Sequence, residues 1–107
     1  MSLNCDVLIA GGGVVGLAVG KELLVSNPKL KVVVIEKEKT LGFHASGRNS
    51  GVLHAGFYYS PDSLKAKFCR EGNRELRQLC QRHRIPVLNT GKVVVAKNDA
   101  ELKELEK

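Results

Sequence analysis

The chain has no tryptophan, one methionine, and only three cysteines and three prolines. The cysteines show no metal-ligand spacing, which argues against a zinc module. Cys69 and Cys80 are eleven residues apart on a predicted helix. That spacing is about 16 Å along the axis, beyond disulfide reach. Cys5 has no cysteine near it. Buried free thiols in a reducing compartment follow, and the location read from them is cytoplasmic. No apolar run approaches the roughly 20 residues that a membrane-spanning helix needs. The run from Val7 to Val19 does not read as a secretory signal core. Asp6 precedes it, no Lys or Arg does, and four glycines interrupt it. Internal repeats and low-complexity tracts are also lacking.

Acidic residues are the minority charge, 11 against 17 basic ones, for a formal net charge of +6. Much of the excess lies between Lys65 and Arg84, where seven basic residues face only Glu71 and Glu75. A nucleic-acid reader would add zinc spacing or interleaved aromatic and basic residues, and neither is present. A solvated helix face is expected, with no nucleic-acid partner.

What the chain does have is concentrated near its start. The apolar run Val7-Leu8-Ile9-Ala10 feeds into Gly11-Gly12-Gly13-Val14-Val15-Gly16, and a second run, Val32-Val33-Val34-Ile35, ends on Glu36. This is strand, G-x-G-x-x-G turn, helix, strand and acidic tip in about 30 residues, the arrangement that binds the ADP half of a dinucleotide. Gly11 permits the tight turn, Gly13 lets backbone approach a pyrophosphate, and Gly16 lets helix and strand pack closely. The helix N-terminus offers unpaired N–H groups to the phosphates. Glu36 stands twenty residues after Gly16, where a carboxylate accepts hydrogen bonds from ribose hydroxyls. The same carboxylate disfavours a ribose 2′-phosphate, although Lys37 and Lys39 soften that effect.

Leu17, Ala18, Val19, Leu23 and Leu24 predict a helix that closes before Asn27-Pro28. Val32 to Ile35 lacks alternation, which predicts a parallel strand buried on both faces. Thr40 to Ser63 has neither period. Its length without regular structure marks a functional segment, and Phe43, Phe57, Tyr58 and Tyr59 argue against disorder. Ser60-Pro61 reads as an N-cap and first helical position. Phe68, Gly72, Leu76, Leu79 and Cys80 mark one face of the helix that follows, ending near Arg84. A strand is expected over Lys92 to Ala96, and Asn98 with Glu101 forms a capping box for a last helix.

The block Ser46-Gly47-Arg48-Asn49-Ser50-Gly51-Val52-Leu53-His54-Ala55-Gly56-Phe57-Tyr58-Tyr59 is more specific than the glycine turn. Ser63-Leu64-Lys65-Ala66-Lys67 and Gly91-Lys92-Val93-Val94-Val95-Ala96 add to it. With these segments the chain resembles the N-terminal part of L-2-hydroxyglutarate oxidases and dehydrogenases, FAD enzymes of the D-amino-acid-oxidase/glycine-oxidase superfamily. The resemblance implies an α/β fold, a Rossmann-like FAD-binding domain with a parallel sheet and helices, begun but incomplete in this chain. It implies that Gly11, Gly13 and Gly16 hold the FAD pyrophosphate, with Glu36 and Lys37 at the adenosine ribose. Ser46, Arg48, Asn49, Ser50 and Gly51 would form a second loop over the pyrophosphate, and Val52 to Gly56 would pass near the flavin ring. Arg48 would pair with a phosphate, with the substrate carboxylates or in a structural ion pair. His54 is the catalytic candidate, as a contact to ring or substrate, or else it orders the loop. His44 and His83 are expected at the surface.

Enzymes of that family are far longer, so an N-terminal fragment, a truncated product or one piece of a split enzyme is expected. Residues 1–84 would begin the FAD-binding domain and residues 85–107 the substrate domain. The parent activity would be oxidation of L-2-hydroxyglutarate to 2-oxoglutarate by hydride transfer to flavin. Electrons would pass to oxygen or a quinone, with peripheral membrane contact as a further expectation. Two alternatives stay open. One is a catalytically inactive dinucleotide-binding remnant; the other is a superfamily member that oxidises an amine or a glycerol phosphate.

Overall fold

A computed structural model describes residues 4–106. Its regular elements are β1 (Val7–Ala10), α1 (Val14–Ser26), β2 (Val32–Ile35), α2 (Leu64–Arg82) and α3 (Asp99–Leu105). They fall into two compact units, one ending at Val52 and the other beginning at Leu53.

In the first unit β1 and β2 pair in parallel, in register from Val7 opposite Val32 to Ala10 opposite Ile35. Parallel neighbours need a crossover, and α1 provides it. The helix packs on both strands. Its seat is made of glycine: a Cβ at Gly20 would stand 3.2 Å from Ile9 Cδ1, and one at Gly16 would collide with the Gly11 carbonyl oxygen. The helix stops at Asn27, whose N–H donates to Leu23 O at 2.8 Å, just before Pro28. Asp6 ties the strand starts together, its carboxylate accepting the Lys31 N–H at 2.8 Å.

The expectation of strands buried on both faces is corrected. Ile9 and Val32 face α1, whereas Leu8 and Ile35 are 57% and 50% exposed. One helix covers one face of this small sheet, and no other helix of that unit is described for the second. A parallel α/β domain covers both faces, so the chain forms a partial one.

In the second unit α2 begins at Ser63, whose Oγ accepts the Ala66 N–H at 3.1 Å. The predicted cap at Ser60 is therefore corrected by three residues. Ser60 and Pro61 instead form a turn in which the Ser63 N–H and hydroxyl both donate to Ser60 O, at 2.9 and 2.7 Å. The helix starts where a hydroxyl reaches the third amide, and that hydroxyl belongs to Ser63. It ends at His83, ahead of Arg84 at φ 55° and Pro86.

The predicted apolar face of α2 is also displaced. Phe68 is 63% exposed, and Ala66 is the only buried apolar side chain among the described residues. Ala66, Cys69 and Asn73 form the seat, because small residues admit backbone. A Cβ on Gly56 would lie 2.6 Å from that of Cys69.

Lys92 to Ala96 forms no strand. A strand exists by pairing, and the sheet found among the described residues contains only β1 and β2. Val93 accordingly stands 85% exposed. The capping box of α3 is present with a shift. Asn98 Oδ1 accepts the Glu101 N–H at 2.9 Å, but the Glu101 carboxylate accepts the N–H of Lys97, at 2.8 Å, instead of that of Asn98. All three cysteines are free thiols, half-buried where full burial was expected. Among the described residues no helix is long and apolar enough to cross a membrane.

Candidate functional site

The glycine turn leaves β1 through Gly11, at φ +108°, a conformation that L side chains rarely adopt. The Gly11 N–H donates to Ile35 O at 2.8 Å, which fixes the turn against the end of β2. Gly13 is the N-cap of α1 and has no side chain with which to cap it. No acidic residue stands in the first turn of α1, so the positive end of its dipole is met from outside the helix.

Glu36 closes the turn from the side. Its carboxylate accepts the Gly12 N–H at 2.8 Å and the Glu38 N–H at 3.0 Å. These two amides, that of Glu38 foremost, hold the Glu36 carboxyl below its ordinary range. A carboxylate has about four lone-pair sites, so two acceptor positions are left for a diol. Leu41 covers Gly12, where any Cβ would strike its side chain.

The loop after β2 docks on this turn. Gly42 N–H donates to Gly12 O at 3.0 Å, and the Val14 N–H donates to Ser46 Oγ at 2.9 Å. Ser46 thus caps α1 from 32 residues away. Its hydroxyl still has a hydrogen to donate. A bare Gly13 suits this approach, since a Cβ there would sit 3.1 Å from Ser46 Oγ and press it outward by a few tenths of an ångström. Sequence reading missed Leu41 and Gly42; the positive φ of Gly42, +68°, is the kind of signal that a glycine in a long loop offers.

Asn49 directs its hydrogen bonds at backbone. Its Nδ2 donates to Ala45 O at 2.9 Å and to Ser46 O at 3.0 Å, and its Oδ1 accepts the Gly51 N–H at 2.8 Å. It is the staple that closes the loop carrying Ser46. Ser50 Oγ accepts the Val52 N–H over a long 3.4 Å. The Arg48 guanidinium lies 4.2 Å over the Phe43 ring, a cation–π contact. Lys37 reaches Glu38 at 3.9 Å and is mostly solvated. His44 is at the surface, as expected, with Nε2 2.8 Å from Glu38 Oε1.

Gly11, Gly13, Gly16, Glu36, Lys37, Ser46, Arg48, Asn49, Ser50, Gly51 and Val52 therefore belong to one unit. His54 belongs to the other, where its carbonyl accepts a hydrogen bond from Asn73 at 3.0 Å. An open recess of about 400 Å³ in that second unit is lined by Phe57, Tyr58, Val94 and Leu105 among others. Among the described residues no group of three or more His, Cys, Asp or Glu side chains is placed to hold a metal ion. The groups around the turn are amide N–H donors, one hydroxyl and one carboxylate acceptor. That set fits a diphosphate joined to a ribose, the chemistry of FAD.

Comparison with known proteins agrees. Residues 6–107 match the model of the family described as FAD dependent oxidoreductase. The chain is 50% identical over 101 residues to a mitochondrial L-2-hydroxyglutarate dehydrogenase of Dictyostelium discoideum, covering 94% of this chain and 23% of that protein. It is 53% identical over 101 residues to the mitochondrial L-2-hydroxyglutarate dehydrogenase of Nematostella vectensis, covering 94% and 22%. An L-2-hydroxyglutarate dehydrogenase of Indibacter alkaliphilus is 51% identical over 94 residues, covering 88% and 24%. The chain spans less than a quarter of the length of these relatives.

Proposed function

This chain belongs to the FAD dependent oxidoreductase family, and from that premise we propose that it carries the ADP-binding part of an enzyme that oxidises L-2-hydroxyglutarate to 2-oxoglutarate. The observation that carries the reading is the docked loop, with Ser46 capping α1 at Val14 beside the Gly12–Glu36 bond. Relatives at about half identity, named for that substrate, support it.

In this reading Gly11, Gly13 and Gly16 form the turn for the pyrophosphate, with the amides at the start of α1 and the Ser46 hydroxyl as donors. Glu36 takes the ribose hydroxyls and Lys37 lies at its rim. Arg48 leaves Phe43 to meet a phosphate or a substrate carboxylate. Asn49, Ser50 and Gly51 shape the loop, and Val52 leads to His54, which contacts substrate or ring. Bound there, FAD supplies the acceptor for the hydrogen and electron pair lost from the hydroxyl-bearing carbon. Residues 1–84 serve the cofactor, and residues 85–107 open the substrate part. Oxygen or a quinone takes the electrons, the latter with peripheral membrane contact. A reducing interior suits the free thiols: the cytoplasm, or the mitochondrion that several relatives' names give them.

The test is an absorption spectrum, with FAD, of the purified protein extended to the length of the relatives it matches, followed by anaerobic addition of substrates. The 107 residues alone should bind flavin weakly and oxidise nothing. L-2-Hydroxyglutarate should bleach the flavin, and the D-isomer, glycine and glycerol 3-phosphate should do so far more slowly. Bleaching by an amino acid at a comparable rate would move the protein to another branch of the family.

A further inference from the structure

Leu53 to Gly56 runs without a strand partner, so its carbonyls have no ladder to join. Two of them are held by one side chain. Asn73 Nδ2 donates to His54 O at 3.0 Å and to Leu53 O at 3.4 Å. A primary amide has two hydrogens, and two successive carbonyls use them both.

The orientation of that amide is fixed by chemistry. Arg77 Nε donates to Asn73 Oδ1 at 3.0 Å. A guanidinium only donates, so the amide oxygen must face Arg77 and the amino group must face the carbonyls. Arg77 stands one turn after Asn73, on the same face of α2. Its Nη1 reaches on to Asn89 Oδ1 at 2.6 Å, beyond Pro86. One turn before Asn73, Gly56 at φ +81° rests on Cys69. The segment is thus pinned to α2 at two points, with His54 at the first of them.

We propose that Asn73 is the positioning residue for His54: its amide sets the backbone of Leu53 and His54 on α2, and Arg77 joins that anchor to Asn89. The inference rests on the reading of His54 as a contact to substrate or ring. It assigns to Asn73 a task that a carboxylate of the same shape cannot perform, because a carboxylate would face two carbonyl oxygens with no hydrogen to give.

The experiment compares the protein, extended to the length of the relatives it matches, with its Asn73→Asp and Arg77→Lys variants, by NMR and by flavin reduction. Asn73→Asp keeps the acceptor for Arg77 and deletes both donors. The carbonyl resonances of Leu53 and His54 and the ring resonances of His54 should shift, and the amide resonances of Ala66 and Arg82 should not. Flavin reduction by saturating L-2-hydroxyglutarate should slow about 10- to 100-fold, the loss expected from misplacing a reacting group by an ångström. The KM and the affinity for FAD should hold. Arg77→Lys keeps the Asn73 donors and should move the same resonances less; it decides the matter if Asn73→Asp does not fold. Unmoved carbonyl and ring resonances would overturn the proposal, as would a loss expressed wholly in KM. If L-2-hydroxyglutarate fails to reduce the unsubstituted protein's flavin, the functional reading fails, and the resonances alone still decide the role of Asn73.

Discussion

In the unit that ends at Val52, a parallel backbone ladder carries the fold and side chains such as Glu36, Ser46 and Asn49 add to it; in the unit that begins at Leu53, no ladder is described and side chains hold the irregular backbone. The first has a parallel ladder, a glycine-seated helix and a loop joined to the turn through Gly42 and Gly12. The second has two helices, and its irregular segments hang on Asn73, Arg77 and cation–π contacts such as Lys92 over Tyr58 at 4.4 Å. Glycines let main chain approach main chain, so a phosphate-sized anion can be met by amides alone. Where that approach is absent, position depends on particular side chains, and single substitutions should act more locally.

The largest test of this contrast is Gly16→Val. A branched side chain would meet the Gly11 carbonyl and Ile9, and α1 would lift from the sheet. The expected loss is about 3 kcal/mol or more for the first unit. Residue-resolved hydrogen exchange should show Val7 to Ile35 unprotected while α2 keeps its protection. Equal loss in both units would mean that they fold as one.

Glu36 comes next. Glu36→Arg should weaken FAD binding by about 10- to 100-fold, the scale of lost hydrogen bonds to a charged acceptor. Titration of flavin fluorescence measures it, and unchanged affinity would remove Glu36 from the site. The same residue gives the first unit an acid limb. Its carboxyl is held below the ordinary 4.5 by the Glu38 and Gly12 amides. The ionised form is thus favoured in the folded state. Its stabilisation is fully present above 4.5 and fades as pH falls through the lowered folded value. Glu36→Gln should flatten that limb in pH-dependent melting.

Two serines sharpen the comparison at about 1 kcal/mol each, the usual worth of a helix cap. Ser46→Ala should raise amide exchange at Val14 and through the loop from Gly42 to Gly51. Ser63→Ala should fray the start of α2, read as lost helicity, and Ser60→Ala should not, because only the Ser60 carbonyl is used. An effect at Ser60 equal to that at Ser63 would restore the cap read from sequence. The smallest effect is expected at Phe68, where Phe68→Ser should change stability by no more than about 0.5 kcal/mol, since the ring is mostly solvated.

The first unit was largely legible. Its signals are local: an apolar run, three glycines at fixed spacing and an acid at the tip, each demanded by a turn or a close contact within 30 or so residues. The second unit was legible in its helices and misread in its details. Ser60-Pro61 carries the same cap signal as Ser63, and only the turn geometry chooses between them. Phe68 fits a helical apolar period, but the segment that packs on α2 is backbone, which selects Ala66 and Cys69. Lys92 to Ala96 has strand composition without a partner to pair with.

By itself, then, the sequence determined a parallel β–α–β unit with a glycine turn, and the block from Ser46 to Tyr59 determined the family resemblance. Both rest on short-range sterics and on residue types that few other arrangements tolerate. Only the tertiary structure decided that Ser46 caps α1, that Asn49 staples its own loop, and that Asn73 holds His54. Those contacts join residues 32 and 19 positions apart in the first and last cases. No periodicity encodes such a distance; the chain must first fold before a hydroxyl or an amide can find the group left unpaired.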